Sequence, residues 1–228
     1  MPAPHDQSRP PRVPRLLVTA GPTHEPIDAV RYIGNRSSGR LGVALADQAA
    51  RRGWDVTLLL GPVSILPTDS RIRVRRFRTA ADLQGLLKDE MAQASILIMA
   101  AAVADYRPLD GASPGKIRRE GNGLRLELEP TPDLLAEVAQ NRTPGQFLVG
   151  FALEPRERMR ASAAEKLTRK NVDMIVANPL ETMDSATIEA LVLQAGGVEH
   201  LTQGAIDKTD FGAWLLTLIE QAAGKDAR

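Results

Sequence analysis

Five short apolar runs recur along the chain, at residues 16–20, 56–60, 96–100, 147–150 and 172–177, separated by longer stretches of mixed polarity. Runs this short, apolar at successive positions, describe strands covered on both faces. The stretches between them, near 39–52, 79–93, 131–141 and 156–170, carry helix signals. Thr79 and Asp82 have capping-box spacing, and Thr131-Pro132-Asp133 sets a cap, a proline for the first helical position and an early acid in a row. Strand–helix alternation of this kind predicts an α/β fold, a doubly wound and mostly parallel sheet.

Three stretches depart from that rhythm. Residues 124–129 (LRLELE) alternate strictly and follow Lys116-Ile117-Arg118-Arg119-Glu120 and the turn Gly121-Asn122-Gly123, which predicts a β-hairpin arm projecting from the sheet as a lid. Residues 187–194 and 198–201, around Gly196-Gly197, predict a second, C-terminal hairpin, with a closing helix over 210–222. The alternating run 71–78 (RIRVRRFR) reads as an edge strand with a solvated basic face and not as a nucleic-acid patch, since it has no series of aromatics to stack successive bases. Residues 1–14 read as a disordered, proline-rich leader without the apolar core of a secretion signal, and 15–228 as one domain.

Composition narrows the function classes. Of 228 residues, 29 are Lys or Arg and 28 Asp or Glu, so the formal charge is +1 and any anion site must be local. Neither a nucleic-acid nor a membrane partner is expected. The longest apolar run, 96–104, is nine residues, against the ~20 of a membrane span. The absence of cysteine removes thiolate chemistry, and the three histidines have no metal-ligand spacing, so no protein-built metal site is expected. The cytoplasm is the expected compartment.

In a parallel sheet, ligands sit beyond the carboxyl ends of the strands. The first such loop, Gly21 to Asp28, is long and has no G-x-G-x-x-G, and the second strand ends Leu60-Gly61-Pro62 without an acid for a ribose hydroxyl. Both features count against a nicotinamide-dependent reductase. The segment from Arg31 through Asn35, Ser37, Ser38 and Gly39 runs into a helix, where backbone N–H groups and the helix dipole can hold an anion. Asn35 can donate its amide to a developing charge, or simply make a turn while the serines cap the helix. The small residues Ala101-Ala102-Val103-Ala104 leave room for a flat ligand, and Asp105 can accept from sugar hydroxyls or cap a helix. Lys116 and Arg118 form a cationic pair on one face of the arm, functional or merely solvated. Lys166 and Lys170, four apart, either share an anion or serve the helix dipole.

The blocks VTAGPTHEPID, VRYIGNRSSGRLG, AAAVADYRP, KIRR, PTPDLLAEV, VGFALEP and EKLTRKNVDMIVAN, in this order, resemble phosphopantothenoylcysteine synthetase. The resemblance implies a Rossmann-like ligase that joins 4′-phosphopantothenate to L-cysteine. It would use CTP as co-substrate with Mg²⁺, and would act as a homodimer whose paired arms help build the site. It places Asn35 at the catalytic asparagine, Arg31 at a neighbouring arginine and Ala102 in the reactive-centre loop. Met99, Ala100, Ala101, Asp105, Lys116 on the mobile arm, Pro132, Asp133, Leu134, Leu135, Phe151, Lys166 and Lys170 fall at nucleotide contacts. The sequence departs from the family in reading Lys-Ile-Arg-Arg for Lys-x-Lys-Lys, in having His24 for an arginine, and after Asn178, where only Asp184 or Ser185 hints at the usual motif. The competing reading is a nucleotide-binding module that has lost turnover.

Overall fold

The computed structural model describes residues 13–226 apart from 120, 122 and 184, so most of the expected leader, and Asp184, lie outside the described residues. Each of the five apolar runs is a strand, and three further strands complete an eight-stranded sheet. The strands are β1 (Arg15–Ala20), β2 (Asp55–Leu60), β3 (Arg73–Arg76), β4 (Ile96–Met99), β5 (Phe147–Glu154), β6 (Met174–Pro179), β7 (Leu191–Gln194) and β8 (Glu199–Leu201). Their order is β8-β7-β6-β5-β4-β1-β2-β3; β1 to β6 are parallel, β7 and β8 antiparallel. The chain winds outward from β1 to β3, then returns to the other side of β1 and winds outward again. That reversal makes the β1/β4 junction the topological switch point of a Rossmann-like sheet.

Five helices cover the faces: α1 (Arg40–Arg51), α2 (Ala80–Met91), α3 (Leu134–Asn141), α4 (Met159–Lys170) and α5 (Lys208–Asp226). Leu16, Val18 and Ala20 of β1 pack in one core with Val43 and Ala46 of α1 and Phe211 of α5. Leu17 belongs to the other, with Leu83 of α2, Leu135 of α3 and Ala163 of α4. Because both faces are covered, alternation disappears and the strands read as unbroken apolar runs.

Local chemistry sets the helix starts. At α2 both capping-box bonds form, Asp82 N to Thr79 Oγ1 at 3.1 Å and Thr79 N to Asp82 Oδ2 at 2.9 Å. At α3 the cap is Asp133, whose Oδ1 accepts from Ala136 N at 3.2 Å, and not Thr131. The helix begins two residues later than a Thr131 cap would set it, and the Thr131 hydroxyl is spent elsewhere, donating to Ala104 O at 2.6 Å.

The basic edge strand is present as β3, but its face is not merely solvated. Arg73 Nη2 and Arg75 Nη1 each lie 2.7 Å from a carboxylate oxygen of buried Glu90 on α2. The arm also differs from expectation. Its paired strands are Tyr106–Pro108 and Leu128–Pro130, and residues 116–119 are in no strand. The backbone groups of 113–117 bond to the loop after β1 instead: Ser113 N donates to Ile27 O at 2.9 Å and Ala29 N to Gly115 O at 3.1 Å. The C-terminal hairpin is β7–β8, while Thr187–Ile188 pair separately with Ile206–Asp207. Among the described residues no helix is long and apolar enough to cross a membrane.

Candidate active site

The carboxyl ends of β4, β5 and β6 and the loop leading into α1 open into a cleft of about 840 Å³. That volume is in the range of small-ligand sites. Two buried hydroxyls hold its floor. Thr19 Oγ1 accepts from Ala101 N, and Thr23 Oγ1 from Ala104 N, each at 2.9 Å. Thr23 N donates to Ala102 O at 3.2 Å and Ala102 N to Gly21 O at 2.9 Å, so the loops after β1 and β4 run together as a short parallel pair. Met99, Ala100, Ala101 and Ala102 thereby line one wall, with Asp105 at its end. Asp105 is exposed and caps no helix among those described.

The opposite wall is the start of α1. Gly39 is its N-cap at φ +72°, a left-handed conformation suited to glycine, and no side chain caps the helix. Ser37 and Ser38 line the cleft without capping; Ser37 Oγ only approaches Gly39 N at 3.4 Å. The N–H groups of the first turn, residues 40–42, therefore border the cleft with the positive end of the dipole. The helix sits close because Gly42 has no side chain: a Cβ there would stand 2.5 Å from Ala20 Cβ. Asn35, exposed in the cleft, is oriented by donating its Nδ2 to Val103 O at 2.9 Å.

Pro132, Asp133, Leu134 and Leu135 line the cleft from the start of α3, Phe151 from β5, and Lys166 and Lys170 from α4. The two lysines do not rely on a shared anion. Lys166 Nζ lies 2.7 Å from Glu154 Oε1 and Lys170 Nζ 2.8 Å from Asp133 Oδ1. Burial opposes ionisation of Asp133, but Lys170, the Ala136 N–H and Arg169 outweigh it and hold its pKa below the usual carboxylate value. Burial likewise opposes ionisation of Glu154, and Lys166 and Ser162 overcome it. Six cationic side chains line the cleft against the carboxylates of Asp105 and Asp133. An almost neutral chain thus carries a locally positive site.

Arg31 and Lys116 are not among the residues lining this cleft. The Arg31 guanidinium is held by Asp28, Nε at 3.0 Å and Nη2 at 2.5 Å from Oδ2. Arg31 drives the Asp28 carboxyl far below its ordinary pKa, against burial, with help from the N–H groups of Val30, Arg31 and Ile117. His24 stacks on Tyr32 with ring centroids 3.6 Å apart, and burial followed by the Arg78 charge lowers its pKa. Several lining residues were not among the predicted site residues: Thr131, read from the sequence as a cap, Asn178, read as the end of a family block, Thr182 and Lys208. Asn178 lies one residue before the end of β6, at the same edge of the sheet as the recognised loops, and that position was a clue to it. No cluster of three or more metal-ligating side chains occurs among the described residues.

A family model described as the DNA/pantothenate metabolism flavoprotein C-terminal domain matches residues 12–222. The chain belongs to this family. Among relatives of the flavoprotein C-terminal domain, a protein named cysteine/cysteine sulfinic acid decarboxylase, from an unknown prokaryotic organism, is 47% identical over 167 residues, 73% of this chain and 46% of that protein. The coenzyme A biosynthesis bifunctional protein CoaBC of Escherichia coli strain K12 is 43% identical over 166 residues, 72% of this chain and 40% of that protein. The chain thus spans less than half the length of these curated relatives. The crystal structure of the C-terminal domain of a CoaBC protein matches with a TM-score of 0.76 and 31% identity, covering 91% of this chain and 94% of that one. A Cab2 mutant in complex with phosphopantothenate-cysteine shares the fold, with a TM-score of 0.79 at 19% identity.

Proposed function

We propose that this domain is a CTP-dependent phosphopantothenate–cysteine ligase. The observation that carries the reading is the convergence, in one cleft, of an uncapped helix start, an oriented asparagine and a surplus of cations. Family membership and the CoaBC relatives support the same assignment.

A carboxylate does not expel oxide when an amine attacks it, so one of its oxygens must first become part of a good leaving group. The 4′-phosphopantothenate carboxylate attacks the α-phosphorus of CTP; the new O–P bond forms as the bond to pyrophosphate breaks. The cysteine amine then attacks the acyl carbon of the acyl-cytidylate, loses a proton and expels CMP. Asn35, beside the strand-end loop that carries Ala102, donates to the acyl oxygen as charge builds in this second step. The first-turn N–H groups of α1 and the α4 cations neutralise phosphate charge, and Asp105 accepts from ribose hydroxyls. Lys170 and Lys166 must then share themselves between carboxylate and phosphate.

Asp133 is already engaged by Lys170 and Arg169, which leaves Asp105 as the open carboxylate of the cleft. Such a donor set suits Mg²⁺ that arrives on the triphosphate, held mainly by phosphate oxygens and water. A homodimer accounts for Lys116, which stands outside its own cleft.

The test mixes protein, Mg²⁺, CTP and 4′-phosphopantothenate without cysteine and looks by mass for the acyl-cytidylate and released pyrophosphate. Adding cysteine should convert it to phosphopantothenoylcysteine. Nucleotide binding without pyrophosphate release would instead mark a module that has kept the cleft and lost turnover.

A further inference from the structure

The loop after β1 contains a carboxylate whose surroundings the reaction does not require. The Asp28 side chain is wholly shielded from solvent, while its partner Arg31 is 42% exposed. Its Oδ1 accepts from Val30 N at 2.8 Å and Arg31 N at 2.7 Å. Its Oδ2 receives the Arg31 guanidinium and, from a segment 89 residues away, Ile117 N at 3.0 Å. Arg31 Nη2 in turn donates to Ile117 O at 2.8 Å. Both backbone polar groups of Ile117 are therefore held by one ion pair. On the other side of Lys116, Gly115 O accepts from Ala29 N at 3.1 Å. Lys116 is the residue between two anchored neighbours, in a segment that no strand supports.

We propose that Asp28 is a positioning residue: with Arg31 it clasps Ile117 and so fixes the place from which Lys116 reaches toward bound nucleotide. A free loop would spread the ammonium over many positions, and ordering it on binding would weaken affinity. The clasp removes that freedom beforehand. A buried carboxylate suits this task, because removing it leaves three backbone N–H groups without their acceptor and the guanidinium without its counter-charge. The proposal rests on the ligase reading for what Lys116 acts upon, but the geometry of the clasp stands apart from it.

The test is a double-mutant cycle with a structural readout. Asp28→Asn, Lys116→Gln and the double variant are compared with wild type for the KM of CTP and for kcat, and wild type and Asp28→Asn, which both keep all three sites, for the rate of trypsin cleavage after Lys116, Arg118 and Arg119. Asp28→Asn should raise the KM for CTP about tenfold, leave kcat nearly unchanged, and add little in the Lys116→Gln background, since residues acting as one unit are not additive. It should also accelerate cleavage of the arm, most clearly at Lys116. Equal losses in the two backgrounds, or unchanged cleavage, would overturn the proposal. Should Asp28→Asn fail to fold, Ile117→Pro removes the donated N–H without touching Asp28 or Arg31; because trypsin does not cut before proline, this variant is read after Arg118 and Arg119, and wild-type KM with wild-type cleavage there would overturn it equally. If wild-type protein makes no product, the ligase reading falls, and the cleavage rates alone decide whether Asp28 orders the arm.

Discussion

Replacing Gly42 with alanine should damage both stability and nucleotide use, because α1 has no room for a single methyl group at its start. The added Cβ would stand 2.5 Å from Ala20 Cβ, 2.9 Å from Thr19 O and 3.1 Å from Ala20 Cα. Two of those three contacts are backbone, so no side-chain rotation relieves them. Ordinary carbon contacts begin near ~3.5 Å, so the helix start must retreat by about 1 Å. Overpacking of this kind costs about 1–3 kcal/mol, which for a protein of this size lowers Tm by about 2–12 °C. The retreat also moves the N–H groups bordering the cleft, and a displacement of about 1 Å can cost ~100-fold in rate. Gly85→Ala is the control: Gly85 is an exposed position within α2 with nothing within 4 Å of an added Cβ, and the change should gain about 0.5–1 kcal/mol. Calorimetry with steady-state kinetics in CTP reads both effects. A Gly42→Ala protein as stable and active as wild type would refute the close packing of α1 on β1.

The remaining predictions probe other parts of the site. Asn35→Asp should still accumulate acyl-cytidylate but convert it slowly when cysteine is added; normal product formation would remove the asparagine from the second step. Glu25→Ala deprives the buried Ala80 N–H of the carboxylate oxygen 2.7 Å away, and should cost about 1–3 kcal/mol in urea unfolding; an unchanged midpoint would count against it. The lowered pKa of Asp133 means that the unfolded chain takes up its proton first on acidification. The stability from the Asp133 charge is therefore complete above the unfolded value near ~4 and fades as pH falls through the lower folded value. Asp133→Asn keeps a capping side chain but loses the charge, so its unfolding midpoint should converge on that of wild type between neutral and acidic pH. A gap that widens on acidification would contradict the assignment.

The sheet was readable because burial on both faces erases alternation, and α2 because Thr79 and Asp82 signal its start by residue type alone. The arm was misread for a physical reason. Residues 124–129 alternate, but Leu124 and Leu126 are 56% and 38% exposed, so no buried face in this chain fixes the register of the stretch before the Leu128–Pro130 strand. The cleft loops were found by position, as the segments following apolar strands. Thr19 and Thr23 were not, since a lone hydroxyl inside or beside an apolar run announces nothing until the neighbouring strand is known. The lysines were recognised as cations without their partners, Glu154 and Asp133, which lie 12 and 37 residues away in sequence. Asp28 stood in plain view within the first loop, yet its role depends on Ile117, 89 positions downstream.

The bonds joining Thr19 and Thr23 to residues 101–104 bear on how such a domain can be re-engineered. Neither switch-point loop is an independent module. Transplanting one of them from a relative would strand acceptors and donors belonging to the other, so the two must be exchanged as a matched set, threonines included.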